Sequence, residues 1–283
     1  MNLFKGELLL DTNWYKLIAI DIDGTLLNSS LEITPEVKEA LHRAEAAGLR
    51  IVLATGRPID GMDYYLQELD FFHPGEYAIT SNGSLLTEPA TGHEIVRHAI
   101  SKEDFRRIHT LATKLDVGYV IETDHCYYTT HTHLPVEVAY LSYINKLPLV
   151  IIDPEDLPDD VNYIKGMITD SLERMEDLPS QLPEEFRKTF ATMMSSATIL
   201  EVLNPKATKA QTLSRLMDKL EIQPEEVLAI GDNQNDLDML DLVGTGVAMG
   251  NARPEVKEIA DYITKSNDEN GVAVAINKFI FND

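Results

Sequence analysis

The chain has 283 residues, enough for about two domains and for a core that needs neither disulfides nor structural metal. Hydrophobic residues at 44% and charged residues at 25% exclude a disordered, collagen-like or fibrous protein. With 24 Lys and Arg against 47 Asp and Glu the net charge is −23, so nucleic-acid phosphates and anionic membranes would be repelled and neither is expected as a partner, although a local anion site can exist where a metal or a few cations offset the field.

In chain order, Leu17-Ile18-Ala19-Ile20 reads as a buried strand. Thr34-Pro35-Glu36 opens a helix, with Thr as N-cap and Pro at the first helical position. Its apolar face is Val37, Ala40, Leu41 and Ala44, and Gly48 ends it. A second strand at 50–54, a helix at 60–69 and a third strand at 77–80 follow. Ser101-Lys102-Glu103-Asp104 begins another helix in the manner of a capping box. Thr-, Tyr- and Val-rich segments come next, at 117–122, 126–131, 161–169, 188–194 and 198–203, punctuated by Pro148, Pro154, Pro158, Pro179 and Pro183. The first pattern then resumes. Helices are expected at 206–220, 235–242, 253–260 and 270–280, and strands at 227–230, 246–249 and 262–263. Continuous apolar strands between helices indicate an α/β fold with a mostly parallel sheet covered on both faces. The expected division is a core of residues 1–87 and 199–283, interrupted by an α+β insert at 88–198.

The single cysteine, Cys126, excludes an internal disulfide framework and fits a reducing cytosol. No run of about 18 apolar residues occurs, and Leu8-Leu9-Leu10 is cut off by Asp11 too early for a signal sequence. A cytoplasmic location is therefore expected.

Chemistry concentrates at the carboxyl ends of strands, where open α/β sheets bind ligands. Asp21-Ile22-Asp23-Gly24-Thr25 leaves the first strand with two carboxylates. One can attack phosphorus while the other handles the proton of the leaving oxygen; standing alone, the segment could equally be a strand ending in solvated acids. Thr55-Gly56-Arg57 leaves the second strand with a hydroxyl and a flexible N–H suited to phosphate oxygens, or simply forms a turn. Gly231-Asp232-Asn233-Gln234-Asn235-Asp236 supplies a second acidic cluster that could share Mg²⁺ with the first, or cap a helix. Lys209 is the one conveniently placed cation between them, unless it is a surface residue. Asn82 ends a strand beside the same site and is either a contact or a turn residue. His131 and His133 lack an evident third metal ligand, and Gly244, Gly246 and Gly250 lack the spacing of a dinucleotide motif.

These four segments, in this order, resemble the motifs of the haloacid dehalogenase (HAD) superfamily of aspartyl-phosphate phosphotransferases. More narrowly, the chain is similar to the Cof-type, subfamily IIB phosphatases and their YidA-like sugar phosphatases. Ala78-Ile79-Thr80-Ser81-Asn82-Gly83, Gly246-Val247-Ala248-Met249 and Asn270-Gly271-Val272-Ala273 match as well. The likeness runs from about Lys16 to the C-terminus, with residues 1–15 as an extension. Ala210 and Asn233 depart from the family pattern without removing a functional group. The resemblance implies a HAD-like Rossmannoid core with an inserted α+β cap of type C2B. It makes Asp21 the nucleophile and Asp23 the general acid/base. Mg²⁺ would be held by Asp21, the Asp23 carbonyl and Asp232, with Asp236 nearby. Phosphate would be held by the Ile22 backbone, Thr55, Gly56, Lys209 and Asn235, with Asn82 at the site.

The expected activity is Mg²⁺-dependent hydrolysis of small phosphorylated metabolites, sugar phosphates foremost. The alternatives are a sugar phosphomutase of the same superfamily or a receiver-like phospho-acceptor module. Asp23 and the large insert argue against the receiver. The insert is expected to close over the site and choose the substrate, with donors among Glu122-Thr123-Asp124-His125, Tyr127-Tyr128-Thr129 and Lys165.

Overall fold

The computed structural model describes residues 14–132, 136–159 and 161–283. The expected N-terminal extension through residue 13, and His133, lie outside the described residues. The chain forms β1 (Leu17–Ile20), β2 (Arg50–Ala54), β3 (Tyr77–Thr80), β4 (Leu85–Glu88) and β5 (His93–Arg97). There follow β6 (Gly118–Thr123), β7 (Tyr127–Thr129), β8 (Leu149–Ile151), β9 (Tyr163–Thr169), β10 (Ala191–Ser196) and β11 (Ile199–Leu203). The last three are β12 (Val227–Gly231), β13 (Thr245–Ala248) and β14 (Tyr262–Ile263).

One sheet of eight strands has the order β14-β13-β12-β1-β2-β3-β4-β5, and a second of six has the order β10-β11-β9-β6-β7-β8. In the first, β14 through β3 run parallel and β4 and β5 are antiparallel. Strand β1 is central and wholly buried, as an unbroken apolar run must be when helices cover both faces. The helix Pro35–Ala46 starts where expected, with Thr34 Oγ1 accepting from Val37 N, and buries Val37, Ala40, Leu41 and Ala44. Among the described residues no helix is long and apolar enough to cross a membrane.

Both edges of the insert differ from the expected 88 and 198. Strands β4 and β5 form a hairpin that extends the core sheet, and β11 belongs to the cap sheet between β9 and β10. Pro89 to Gly92, just past the expected boundary, is the turn of that hairpin. The chain crosses between the layers near Ala99 and Asn204, and the Asn204 side chain donates to the Ala99 carbonyl, tying the two crossings together.

Three cap helices were not legible: Val136–Asn145, Leu172–Gln181 and Glu184–Thr189. Pro179, expected to break structure, lies in the last turns of the second. Helices Lys102–Leu115, Leu172–Gln181 and Glu184–Thr189 pack one face of the cap sheet through Phe105, Ile108, Met175, Leu178 and Phe186 against Tyr119, Ile121 and Ile168. Val136–Asn145 packs the other through Val138 against Val120 and Met167. Because side chains alternate along a strand, the face of Val120 and Met167 is also the face of Glu122, Lys165 and Glu201, in register across β6, β9 and β11. That face is turned to the core.

Candidate active site

The carboxyl ends of β1, β2, β3 and β12 converge beneath the cap. Asp21, the first residue past β1, is anchored by its N–H to the Ile230 carbonyl. Ile22 buries its side chain in the core, so it offers the site only its backbone. Gly24 has φ +83°, and a Cβ there would stand 2.6 Å from Asp232 Oδ2. Only glycine permits both the turn and that approach. Thr25 Oγ1 donates to Asp232 Oδ1 at 2.9 Å.

Lys209 is set by its helix. The helix runs from Lys209 to Leu220, not from 206, because Thr208 is the N-cap and its hydroxyl accepts from Gln211 N. The fully buried ammonium donates to Asp21 Oδ1 at 2.5 Å and to Asp236 Oδ1 at 2.6 Å. The surface reading of Lys209 is thereby excluded. Asp236 Oδ2 accepts from the backbone N–H groups of Asp232 and Asn233, both at 3.0 Å. Both Asp236 oxygens are thus engaged in holding the loop and the lysine.

Ligand oxygens of Asp21, Asp232 and Asp236 lie within 4.8 Å of one another. Such an all-oxygen donor set suits a hard divalent cation, and its crowding acts on Asp21 and Asp232. Burial, then Asp236, pushes the Asp21 carboxyl well above the usual range, with Lys209 opposing. Burial and Asp236 likewise push Asp232 up to about 6. For Lys209 burial works downward, but Asp21 and Asp236 outweigh it and raise its pKa.

Thr55 receives a backbone bond from Arg57 N at its Oγ1. Asn82, buried, sits at φ 57° in the left-handed turn after β3. Its Oδ1 accepts from Asn235 Nδ2 at 2.8 Å, and its Nδ2 lies against Gly56, where a Cβ would come within 3.1 Å. The structure therefore brings Asp21, Asp23, Thr55, Gly56, Asn82 and Asn235 to one cavity of about 230 Å³. Asp232, Asp236 and Lys209 lie directly behind Asp21.

Sequence reasoning missed Arg57. Its guanidinium grips Asp23 with a fork, Nε to Oδ2 at 2.8 Å and Nη2 to Oδ1 at 2.7 Å, over the Tyr65 ring. The available signal was a cation two residues beyond Thr55, on a loop already assigned to the site. Glu201 was also missed. Of the suggested cap donors, Glu122, Tyr127 and Lys165 line the cavity, whereas Thr123, Asp124 and His125 line a separate hollow beside Asp60 and Glu94. Tyr128 packs with the cluster on the opposite face of the cap sheet, and Thr129 donates to the Tyr119 carbonyl. Lys165 Nζ donates to Glu201 Oε1 at 2.9 Å and to the Gly56 carbonyl at 3.0 Å. Asn82 Nδ2 donates to Glu201 Oε2 at 2.6 Å, and Ser81 Oγ to Glu122 Oε1 at 2.5 Å. Three cap side chains thus bond directly to the loops after β2 and β3.

Residues 18–276 match the model of the haloacid dehalogenase-like hydrolases. YxeH of Bacillus subtilis (strain 168), described provisionally as a phosphatase, is 38% identical over 94% of this chain and 98% of its own. From the same organism, the 5-amino-6-(5-phospho-D-ribitylamino)uracil phosphatase YcsE is 32% identical, over 94% and 96%. A haloacid dehalogenase-like hydrolase from Bacteroides thetaiotaomicron superposes with a TM-score of 0.83 at 32% identity, covering 93% of this chain and 99% of that one. The HAD subclass IIB sugar phosphatase BT4131 gives 0.77 at 27%, covering 93% and 98%. The chain belongs to the haloacid dehalogenase-like hydrolase family, as an enzyme of its phosphatase branch.

Proposed function

We propose that this enzyme is a Mg²⁺-dependent phosphatase of small polyhydroxylated phosphate monoesters, sugar phosphates foremost, working through an aspartyl-phosphate on Asp21. The observation that carries the reading is the meeting of Asp21 and Asp23 in one cavity, with Lys209 bonded to Asp21 from behind. In the first half-reaction an Asp21 oxygen attacks phosphorus and the bond to the leaving alcohol breaks. Asp23 gives that oxygen its proton. In the second, Asp23 takes a proton from water, which attacks the same phosphorus, releases inorganic phosphate and restores Asp21. Asp23, half-exposed at the edge of the cavity, is held there by the Arg57 fork.

Thr55, the Gly56 N–H and the linked pair Asn82–Asn235 are placed to receive phosphoryl oxygens. Asp21, Asp232 and the Asp23 carbonyl would hold the cation, and Asp236, with both oxygens committed, would support them. When bound, the cation draws charge from the phosphoryl oxygens. The substrate class rests on what two relatives have in common. A sugar phosphate and a phosphoribityl compound both carry the phosphate on a polyhydroxylated chain.

Phosphate release across a panel of sugar, polyol and nucleotide monophosphates tests the reading. Asp21→Asn should abolish turnover with the fold intact, and EDTA should stop wild-type turnover until Mg²⁺ is returned. Turnover of the variant within tenfold of wild type would overturn the nucleophile assignment.

A further inference from the structure

Resting on that reading, the cap floor narrows the substrate further. We propose that Glu122 and Glu201 form an acidic subsite for the leaving group, which selects esters of neutral or amino-bearing polyols and rejects those whose alcohol carries a second acidic group. The geometry starts from the cap sheet. Glu122 stands opposite Lys165 across β6 and β9, Tyr127 stands opposite Glu122 across β7, and Glu201 lies diagonal to Lys165 on β11. All four are buried and line the cavity that holds Asp21 and Asp23.

The cations there are already taken. Lys165 is held by Glu201, by the Gly56 carbonyl and, at 3.7 Å, by Glu122, while Arg57 is clamped by both Asp23 oxygens. Of the acceptors, Glu201 is engaged through both oxygens, by Lys165 and by Asn82, and Glu122 Oε1 by Ser81, which leaves Glu122 Oε2. Glu122 Oε2 receives only a long bond from Tyr127 at 3.4 Å besides that distant ammonium. Asn145 also lines the cavity; its Nδ2 donates to the Tyr127 hydroxyl at 2.8 Å, and its buried Oδ1 lies against Gly61. A buried acceptor left unpaired costs free energy that a donor on the ligand recovers. Hydroxyl or ammonium groups supply such donors. A carboxylate or second phosphate finds no free cation among the described residues of the cavity and meets two glutamates in a region of low dielectric. The cavity, at about 230 Å³, is small enough that an acid within a few carbons of the reacting phosphate lies among these groups.

The test compares matched esters on the intact Mg²⁺-loaded enzyme: glycerol 3-phosphate against 3-phosphoglycerate, and sorbitol 6-phosphate against 6-phosphogluconate. Each pair differs only in a terminal alcohol or carboxylate. Wild-type kcat/KM should favour the alcohol at least tenfold in both. Glu122→Gln should shrink that ratio severalfold, and Glu201→Gln serves as the second variant should the first not fold. Equal rates within a pair, preference for the acid, or a folded Glu122→Gln enzyme with an unchanged ratio would overturn the proposal. Hydrolysis of p-nitrophenyl phosphate separates the two levels. Its absence in wild type, with none of the four esters turned over either, sinks the phosphatase reading together with the subsite, whereas turnover without discrimination sinks the subsite alone.

Discussion

Asp232→Asn should make the metal-free protein more stable at neutral pH and less able to use metal. Asp232 stands at about 6 in the folded chain against an ordinary 3.8, raised by burial and by Asp236. A carboxyl whose pKa is raised on folding stabilises the native state while it is protonated, and that contribution is lost as the pH rises, here between about 4 and 6. Two pKa units correspond to about 3 kcal/mol at pH 7.5, falling to about 1 kcal/mol at pH 4.5, where the folded carboxyl is still mostly protonated. Asparagine keeps the shape, accepts from Thr25 Oγ1 as Asp232 Oδ1 does, and carries no charge. In EDTA at pH 7.5 the variant should therefore melt about 5–10 °C above wild type, given a few degrees per kcal/mol for a chain of this size. At pH 4.5 the gap should close to about a third. Adding Mg²⁺ at pH 7.5 should raise the melting temperature of wild type and leave the variant nearly unmoved. Thermal melts at the two pH values, with EDTA or Mg²⁺, decide the matter. A variant no more stable than wild type in EDTA at pH 7.5, or an advantage independent of pH, would refute the account of carboxylate crowding.

Lys209→Met should lower kcat by about 10²–10³-fold, the loss expected on removing one charge-stabilising donor from an active site, as read by phosphate release from an aryl phosphate. Gly24→Ala places a Cβ against Asp232 Oδ2 at a backbone angle that suits glycine; it should cost at least about 1 kcal/mol in urea unfolding and raise the Mg²⁺ concentration needed for half-maximal activity. Arg57→Ala should lower kcat about 10–100-fold, the scale of one lost charged hydrogen-bond pair. Arg57→Lys should restore only part of that, because an ammonium cannot reproduce the fork.

What could be read in advance follows from how local each signal is. The parallel core was legible because β1 and β12 are unbroken apolar runs, as β2 is after Arg50, and because Thr34-Pro35 marks a helix start by capping chemistry within a few residues. The hairpin β4–β5 was not, since β5 is exposed or half-buried along its length and shows no clean alternation. Helix Val136–Asn145 carries exposed Val136, Tyr140 and Tyr143 opposite its packed face, so its apolar residues show no 3.6-residue stripe. The chemical groups divide the same way. Asp21, Asp23, Thr55 and Asp232 sit at strand ends and could be placed by topology alone. Glu122, Lys165 and Glu201 meet only through the antiparallel register of β6, β9 and β11, which no local pattern specifies. The grip of Arg57 on Asp23 joins two loops 34 residues apart.

The charges also explain how so acidic a chain can take an anionic substrate. Six carboxylates border or underlie the cavity, Asp21, Asp23, Asp232, Asp236, Glu122 and Glu201, against the cations Arg57, Lys165 and Lys209, each already paired. Fully ionised, the site carries an excess of negative charge before a phosphate dianion enters. One like-charge contact at 4 Å costs about 4 kcal/mol at the effective dielectric of a protein surface, so several would exclude the substrate. Two remedies exist. Protonating Asp21 and Asp232, toward which their raised pKa values already lean, relieves the repulsion but makes Asp21 a neutral acid, a far weaker nucleophile toward phosphorus. A divalent cation shared by the same carboxylates relieves it while keeping Asp21 ionised. In the proposed mechanism the crowding of Asp21, Asp232 and Asp236 would thus couple phosphate binding and nucleophile activation to a single metal ion.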